Sequence, residues 1–503
     1  MFEHFKEIKD KIKNLNLKIE GYRKDSVIQS LPSVAYVNRA KKLIEQNKLT
    51  EALEILAEAE ALPQDDALVF KYKGIVYDKL SRFEEAVAAY KKSANLNCHD
   101  KIIWQKLGFA LVNSGKYDEA AEIFENADKI TPSNADVNVG WGMAFMKQGN
   151  YKEAHEKFVN ASKINRYNFT AIFLAAVMEI RLNLLDEAEL KLNFLANVCP
   201  NETNTYEYAN LKFIKKDYDN ALFYAQKALS FNPHMLPVYL LLGKIFRVKL
   251  EKEKSIDCYK NAEELSLVNS NLYLEWALTL LKFEDYTEAK EKLSTAAGFG
   301  CNTSELSAAL ALCNIHLGNA VSTKKVLEDI LKEEPQNSLA LTGLGLIACV
   351  NENYKEGIRY FKDSLDADET GDLNYYYIAE GYLSLDDDTH TKEYFEKSIT
   401  ANPKRLKTYI DYARYLGSKG LYADAGRKLR KAFKLDENNL EILNLMFFIN
   451  YILVKEQVCE YNIKETLRLA EKIEKLDNNA FKYPDERAEL TQMLKNLQEK
   501  EKN

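Results

Sequence analysis

Histidine and cysteine are common ligands of transition metals, and cysteine is also a strong nucleophile. The chain of 503 residues contains six His and seven Cys. The cysteines are widely spaced, at Cys98, Cys199, Cys258, Cys301, Cys313, Cys349 and Cys459. No Cys-x-x-Cys pair occurs, and no His has a Cys or His partner at the spacing of a metal ligand. We therefore predict no metal site and no disulfide framework, which fits a reducing compartment.

Enzyme signatures are also missing from the sequence. We find no phosphate-binding loop, no nucleophile elbow, no zinc-binding helix and no glycine fingerprint for a dinucleotide. The histidines fall in predicted turns (His99, His234, His390) or on predicted helices (His4, His155, His316). Catalysis needs several groups that converge on one point, so we interpret these histidines as structural or solvent-exposed. The sequence predicts a protein without enzymatic activity and without a cofactor.

The composition fits a folded protein that does not bind nucleic acids in general. Lys and Arg number 69 against 76 Asp and Glu, which gives a net charge of −7. Binding to DNA needs a cationic surface, so we expect this acidic chain not to bind DNA. Apolar residues make up 46% of the chain, too many for a disordered protein. With only 9 Pro and 19 Gly, the chain has room for many helices.

One pattern of apolar and small residues repeats every 34 residues. One copy contains Trp104, Leu107, Gly108, Leu111, Ala120, Phe124, Ala127 and Pro132, and the next contains Trp141, Gly142, Phe145, Ala154, Phe158 and Ala161. Within each unit the apolar residues recur at i, i+3, i+4 and i+7, then a break such as Gly115 precedes a second apolar stripe. The pattern predicts a helix, a tight turn and a second helix. Neither helix can bury its stripe alone, so the units must stack.

This pattern resembles the tetratricopeptide repeat, with its W-L-G-Y…A…F…A…P signature. Twelve units in phase begin at Ser33, Ala67, Lys101, Ala135, Phe169, Glu202 (or Asn201), Leu236, Ser270, Ser304, Ser338, Asp372 and Leu406. The resemblance implies an all-α solenoid, a right-handed superhelix of about 12–13 helix-turn-helix units. We divide the chain into an N-terminal capping or amphipathic helix (1–32), twelve repeats (33–439), a degenerate thirteenth repeat (440–484) and a C-terminal capping helix with a charged tail (485–503).

The resemblance also implies where a partner would bind. In this family the first helices of successive repeats line the concave face of the superhelix, and partner segments commonly bind there. The fifth, ninth and twelfth positions of each first helix form one stripe, which is mostly apolar in the third to sixth units. The candidate groove residues are Phe109, Val112, Val139, Met143, Met146, Phe173, Val177, Tyr206, Phe213, Lys244, Arg247, Leu274 and Leu278.

Two interpretations of this stripe stay open. An exposed apolar strip usually marks a binding surface, and Met143 and Met146 could adapt to an amphipathic helix or an extended apolar segment. Alternatively, tight winding of the superhelix buries these positions between neighbouring repeats. Lys244 and Arg247 could hold a partner carboxylate or be solvated.

The predicted function is that of a cytoplasmic adaptor or scaffold that binds other proteins in the groove. The N-terminus indicates an alternative, because five apolar residues recur there at helical spacing and residues 1–24 carry a net charge of +3. This segment either caps the first repeat or lies on an anionic membrane, as in a peripheral assembly factor. RNA binding, known for related 35-residue helical repeats, is opposed by the 34-residue register and the acidic balance.

Overall fold

The computed structural model describes residues 32–62, 66–97, 99–320, 322–368 and 370–500. The predicted N-terminal cap, its membrane contact through residues 1–24, and the end of the charged tail lie outside these described residues, apart from Pro32. The described chain folds into 27 helices and no strand, as the all-α prediction requires.

First and second helices of the repeats alternate along the chain. The first helices are α1 (Pro32–Glu45), α3 (Ala67–Lys79), α5 (Lys101–Asn113), α7 (Ala135–Gln148), α9 (Phe169–Arg181), α11 (Glu202–Ile214), α13 (Leu236–Val248), α15 (Ser270–Lys282), α17 (Ser304–His316), α19 (Ser338–Val350), α21 (Asp372–Ser384) and α23 (Leu406–Ser418). The second helices are α2 (Leu49–Glu60), α4 (Phe83–Leu96), α6 (Tyr117–Ile130), α8 (Tyr151–Ile164), α10 (Leu185–Val198), α12 (Tyr218–Phe231), α14 (Lys252–Glu264), α16 (Tyr286–Gly298), α18 (Lys324–Glu333), α20 (Tyr354–Ala367), α22 (Asp388–Ala401) and α24 (Tyr422–Leu435). Each first helix except α1 begins at a predicted unit start, and α1 begins one residue earlier.

Side-chain caps explain why several first helices begin where they do. The Asp100 carboxylate accepts a hydrogen bond from the Ile102 amide at 3.0 Å, and the Asn134 side chain accepts one from the Asp136 amide at 2.9 Å. Such a cap satisfies a backbone amide that has no partner within the helix. Asn201 caps α11 in the same way, which fixes the sixth repeat at Glu202 rather than one residue earlier.

In several repeats the core contains a ring packed against a small residue. Phe158 on α8 is fully buried, and a Cβ atom added at Gly142 on α7 would lie 2.7 Å from that ring. The same arrangement joins Gly74 to the ring of Tyr90, where the distance would be 2.4 Å. Glycine is required because any side chain at this position would overlap the ring. The two helices of a repeat therefore approach closely.

The chain divides into two compact units, and each is described by itself. Unit 1 (Met1–Asn232) contains the first six repeats, and unit 2 (Pro233–Asn503) contains the rest. Unit 2 ends in a longer helix pair, α25 (Leu440–Glu456) and α26 (Glu460–Leu476), followed by α27 (Pro484–Lys500).

The last helix covers the end of unit 2. Leu490 on α27 is fully buried, and its neighbours Met493, Leu494 and Leu497 pack in the same cluster as Phe447. The apolar stripe of the last helix pair is thus buried by α27, the role expected of a terminal helix in a repeat array.

Candidate partner-binding groove

The first helices form the inner layer of unit 1. Helix α1 lies against α3, and α5 lies against α7, whereas no two successive second helices approach each other comparably among the described residues of unit 1. In a curved array, helices are closest on the inside of the curve. The first helices therefore line the concave side, as the family resemblance implies.

The structure separates the predicted groove residues of unit 1 into two groups. Val112 and Val139 are 6% and 8% exposed and belong to the core. Seven others are partly exposed: Phe109, Met143, Met146, Phe173, Val177, Tyr206 and Phe213. We call these seven residues the groove stripe. Val112 and Val139 thus fit the interpretation of burial between repeats, and the groove stripe fits the interpretation of an exposed binding surface.

The groove stripe rests on the core beneath it. The Phe109 ring meets the buried Phe124 ring edge-on, with their centroids 5.4 Å apart. The Phe213 ring contacts Tyr218 at 5.7 Å in the same manner. Burial, together with the nearby Glu207 carboxylate, raises the pKa of Tyr206 to about 12, so its hydroxyl stays protonated at neutral pH. The stripe is apolar, with one hydroxyl that can donate a hydrogen bond.

In unit 2 the predicted groove does not continue as an open surface. The Lys244 ammonium lies 2.6 Å from the Glu275 carboxylate, and the Arg247 guanidinium lies 3.1 Å from the same group. Both cations therefore already hold a carboxylate of their own chain. Leu274 is buried, with 5% of its surface exposed, and Leu278 is partly exposed and lines a half-open pocket of about 230 Å³. We accordingly restrict the candidate groove to unit 1.

A cluster of buried charges links distant repeats inside unit 2. The Arg405 and Asp372 side chains are 4% and 5% exposed, and Arg405 Nη2 lies 2.9 Å from Asp372 Oδ2. Arg405 Nε also donates a hydrogen bond to Glu284 Oε1 at 3.0 Å. Lys282 contacts the Asp372 carboxylate and donates to the Thr370 carbonyl at 2.6 Å. This buried charge cluster (Lys282, Glu284, Asp372, Arg405) joins repeat eight to the first and last residues of repeat eleven.

Two titratable groups in unit 2 have displaced pKa values. The His316 ring stacks on Tyr286 with centroids 3.8 Å apart, and burial, aided by Lys407, lowers the pKa of His316 to about 4. Burial and the neighbouring Asp411 raise the pKa of Glu380 to about 7. Both side chains are therefore neutral over much of the range between these values.

These pKa values predict how the stability of unit 2 depends on pH. His316 binds fewer protons in the folded state than in the unfolded state. Its contribution to the free energy of unfolding is therefore lost as the pH falls from 6.5 towards 4. Glu380 binds more protons in the folded state, so its contribution is lost as the pH rises from 4.5 through 7. We expect Glu380→Gln to raise the free energy of unfolding at pH 8 by about 1–2 kcal/mol and to change it little at pH 4. Urea denaturation at both pH values, with the exposed Glu437→Gln as control, tests this; an equal effect at both pH values would contradict it.

The second helices of repeats five and six carry an exposed apolar pair that the repeat pattern alone did not reveal. Leu190 is 74% exposed and Phe223 is 58% exposed. They occupy the same position of consecutive repeats, and in nine of the other ten repeats this position holds a charged residue. The replacement of a repeated charge by an apolar residue is the signal that would have identified this convex pair.

Comparison with known proteins agrees with this architecture. The family profile described as "Psidin, N-terminal TPR repeats region" matches residues 42–196. The crystal structure of the APC/C hetero-tetramer Cut9–Hcn1 superposes with a TM-score of 0.55 and 13% identity, over 93% of this chain and 97% of that one. The chain has the fold of a tetratricopeptide repeat protein.

Two curated proteins are similar in sequence to this chain. BBSome complex member BBS4 of Bos taurus is 25% identical over 51% of this chain and 54% of its own length. TPR repeat-containing protein YpiA of Bacillus subtilis (strain 168) is 22% identical over 45% of this chain and 53% of its own length. The chain thus spans about half the length of the curated relatives that it matches.

The described residues add two observations on membrane and metal binding. No helix in that part of the chain combines the length and the apolar character needed to cross a bilayer. Likewise, no group of three or more His, Cys, Asp or Glu side chains among the described residues is placed to hold a metal ion.

Proposed function

We propose that this tetratricopeptide repeat protein is a non-enzymatic scaffold that binds an amphipathic or apolar segment of a partner protein along the groove stripe of unit 1. The observation that carries the proposal is the row of seven partly exposed side chains on consecutive first helices. Tetratricopeptide folds supply surfaces for protein–protein interaction, and one relative is a member of a complex by its name. A half-exposed apolar row held by a rigid core is suited to an apolar partner face.

Replacement of two stripe residues should remove the partner without unfolding the protein. We expect a Met146→Gln, Val177→Gln double variant to lose proteins that the wild type captures from the lysate of its source cell. Both side chains are partly exposed, so circular dichroism should show a folded variant.

The matched control changes the convex pair instead. A Leu190→Gln, Phe223→Gln variant removes a comparable amount of apolar surface from the second helices, and it should retain the captured partners. Loss of the same partners from this control, with retention by the stripe variant, would contradict the proposed groove and place binding on the convex side.

A further inference from the structure

Charge is distributed unequally between the two layers of unit 1. The first helices α1, α3, α5, α7, α9 and α11 contain eleven Lys and Arg against six Asp and Glu. The second helices α2, α4, α6, α8, α10 and α12 contain eight against seventeen. Most of the cationic excess lies on α1 and α3. The four first helices that carry the groove stripe contain five Lys and Arg against four Asp and Glu, whereas the second helices of the same repeats contain six against eleven. The layer that carries the groove stripe is therefore nearly neutral, and the opposite layer is acidic.

Some of these cations lie beside the groove stripe. Lys147 follows Met143 by four residues on α7, and Arg181 follows Val177 by four residues on α9. Residues four apart lie on the same face of a helix, so both cations extend the face that carries the stripe. Both are exposed, and so is Lys106 on the preceding first helix. The apolar row therefore has a rim of exposed positive charge.

Stabilisation of helix ends favours cations on the first helices of both units, and Arg247 and Lys282 occupy the last turn in unit 2. A cation in the last turn interacts favourably with the helix dipole, and Lys147 and Arg181 both have that position. The first helices of unit 2, including α25, have the same fold but contain six Lys and Arg against seven Asp and Glu. The excess of cations on first helices is thus confined to unit 1, where α1 and α3 supply most of it.

We propose that the segment bound by unit 1 is an acidic amphipathic helix. Its apolar face packs on the groove stripe, and its carboxylates lie towards Lys106, Lys147 and Arg181. This proposal rests on the proposed function, since it takes the groove stripe as the binding surface. The acidic second helices repel such a segment, which directs it to the inner layer and excludes it from the convex side.

Two synthetic peptides test this proposal on the full chain. The first is an amphipathic helical peptide with Leu on one face and Glu on the other, and the second has Lys in place of each Glu. By fluorescence anisotropy at low salt we expect the Glu peptide to bind at least ~10-fold more tightly than the Lys peptide. Added salt should weaken this binding, because exposed charges are screened.

Variants then test whether the preference for the Glu peptide depends on Lys106, Lys147 and Arg181. A Lys106→Gln, Lys147→Gln, Arg181→Gln variant should lose most of the preference for the Glu peptide. The control variant Lys129→Gln, Lys152→Gln, Lys163→Gln makes the same change in net charge at exposed positions of second helices, and it should keep that preference.

The outcomes separate the two proposals. If both peptides bind equally and the Met146→Gln, Val177→Gln variant weakens the binding of both, the proposed groove is supported and the proposed acidic partner is contradicted. Tighter binding of the Lys peptide, or an unchanged preference in the rim variant, also overturns the acidic partner. Binding of neither peptide, or binding that the stripe variant leaves unchanged, contradicts the proposed groove itself.

Discussion

Replacement of Arg405 by Met is expected to lower the free energy of unfolding of unit 2 by about 3 kcal/mol. The guanidinium is nearly completely buried, and it pairs with the buried Asp372 carboxylate and with Glu284. Its removal leaves Asp372 in a poorly hydrated site with Lys282 as its remaining cation. A buried charge that loses a partner destabilises the fold far more than an exposed ion pair does.

Urea denaturation followed by the fluorescence of the buried Trp276, in a background in which Trp104 and Trp141 of unit 1 are replaced by Phe, reports on this change within unit 2. Adding Asp372→Asn to Arg405→Met should recover part of the loss, since it removes the uncompensated carboxylate. The control is Arg427→Met, which breaks an exposed ion pair with Asp424 and should alter stability by less than about 1 kcal/mol. Equal effects of Arg405→Met and Arg427→Met would contradict a structural role for the buried charge cluster.

The repeat architecture could be predicted because its contacts are local and recur. In most units a small residue such as Gly108 faces a larger buried side chain such as Phe124, so residue size alone marks the period. Helix starts follow from the same register, and capping residues such as Asn134 reinforce them.

Exposure along the groove could not be read from position alone. Val112 and Met146 occupy the same position of adjacent repeats, yet Val112 is buried and Met146 is partly exposed. Position within the repeat decides which face of the helix a side chain occupies. The sizes of its neighbours, and how closely the next repeat packs, decide whether that face reaches solvent.

The buried charge cluster lay beyond sequence reasoning for another physical reason. Lys282 belongs to repeat eight, whereas Asp372 and Arg405 are the first and last residues of repeat eleven. Each one taken alone has the sequence features of a solvated residue at a helix end. Their meeting depends on the curvature of the array, which accumulates from a small rotation at each repeat interface. A periodic alignment contains no measure of that rotation.

A Gly142→Ala substitution should destabilise unit 1 by about 1–3 kcal/mol, because the new methyl group overlaps the buried Phe158 ring. Neighbouring helices and a rigid ring leave little room for adjustment, and this overlap outweighs the higher helix propensity of Ala. The expected loss is measured by urea denaturation monitored by circular dichroism.

The double variant with Phe158→Leu shows whether the ring is the cause. Leu is smaller and more flexible, so the Gly142→Ala change should destabilise the Phe158→Leu background by at least ~1 kcal/mol less than it destabilises the wild type. Gly298→Ala is the matched control, since no atom lies within 4 Å of its added Cβ and the residue is exposed at the end of α16. The free energy of unfolding of the Gly298→Ala variant should equal that of the wild type or exceed it by up to ~1 kcal/mol. Strict additivity of Gly142→Ala and Phe158→Leu would mean that backbone conformation, rather than the close approach of the two helices, requires glycine at this position of the repeat.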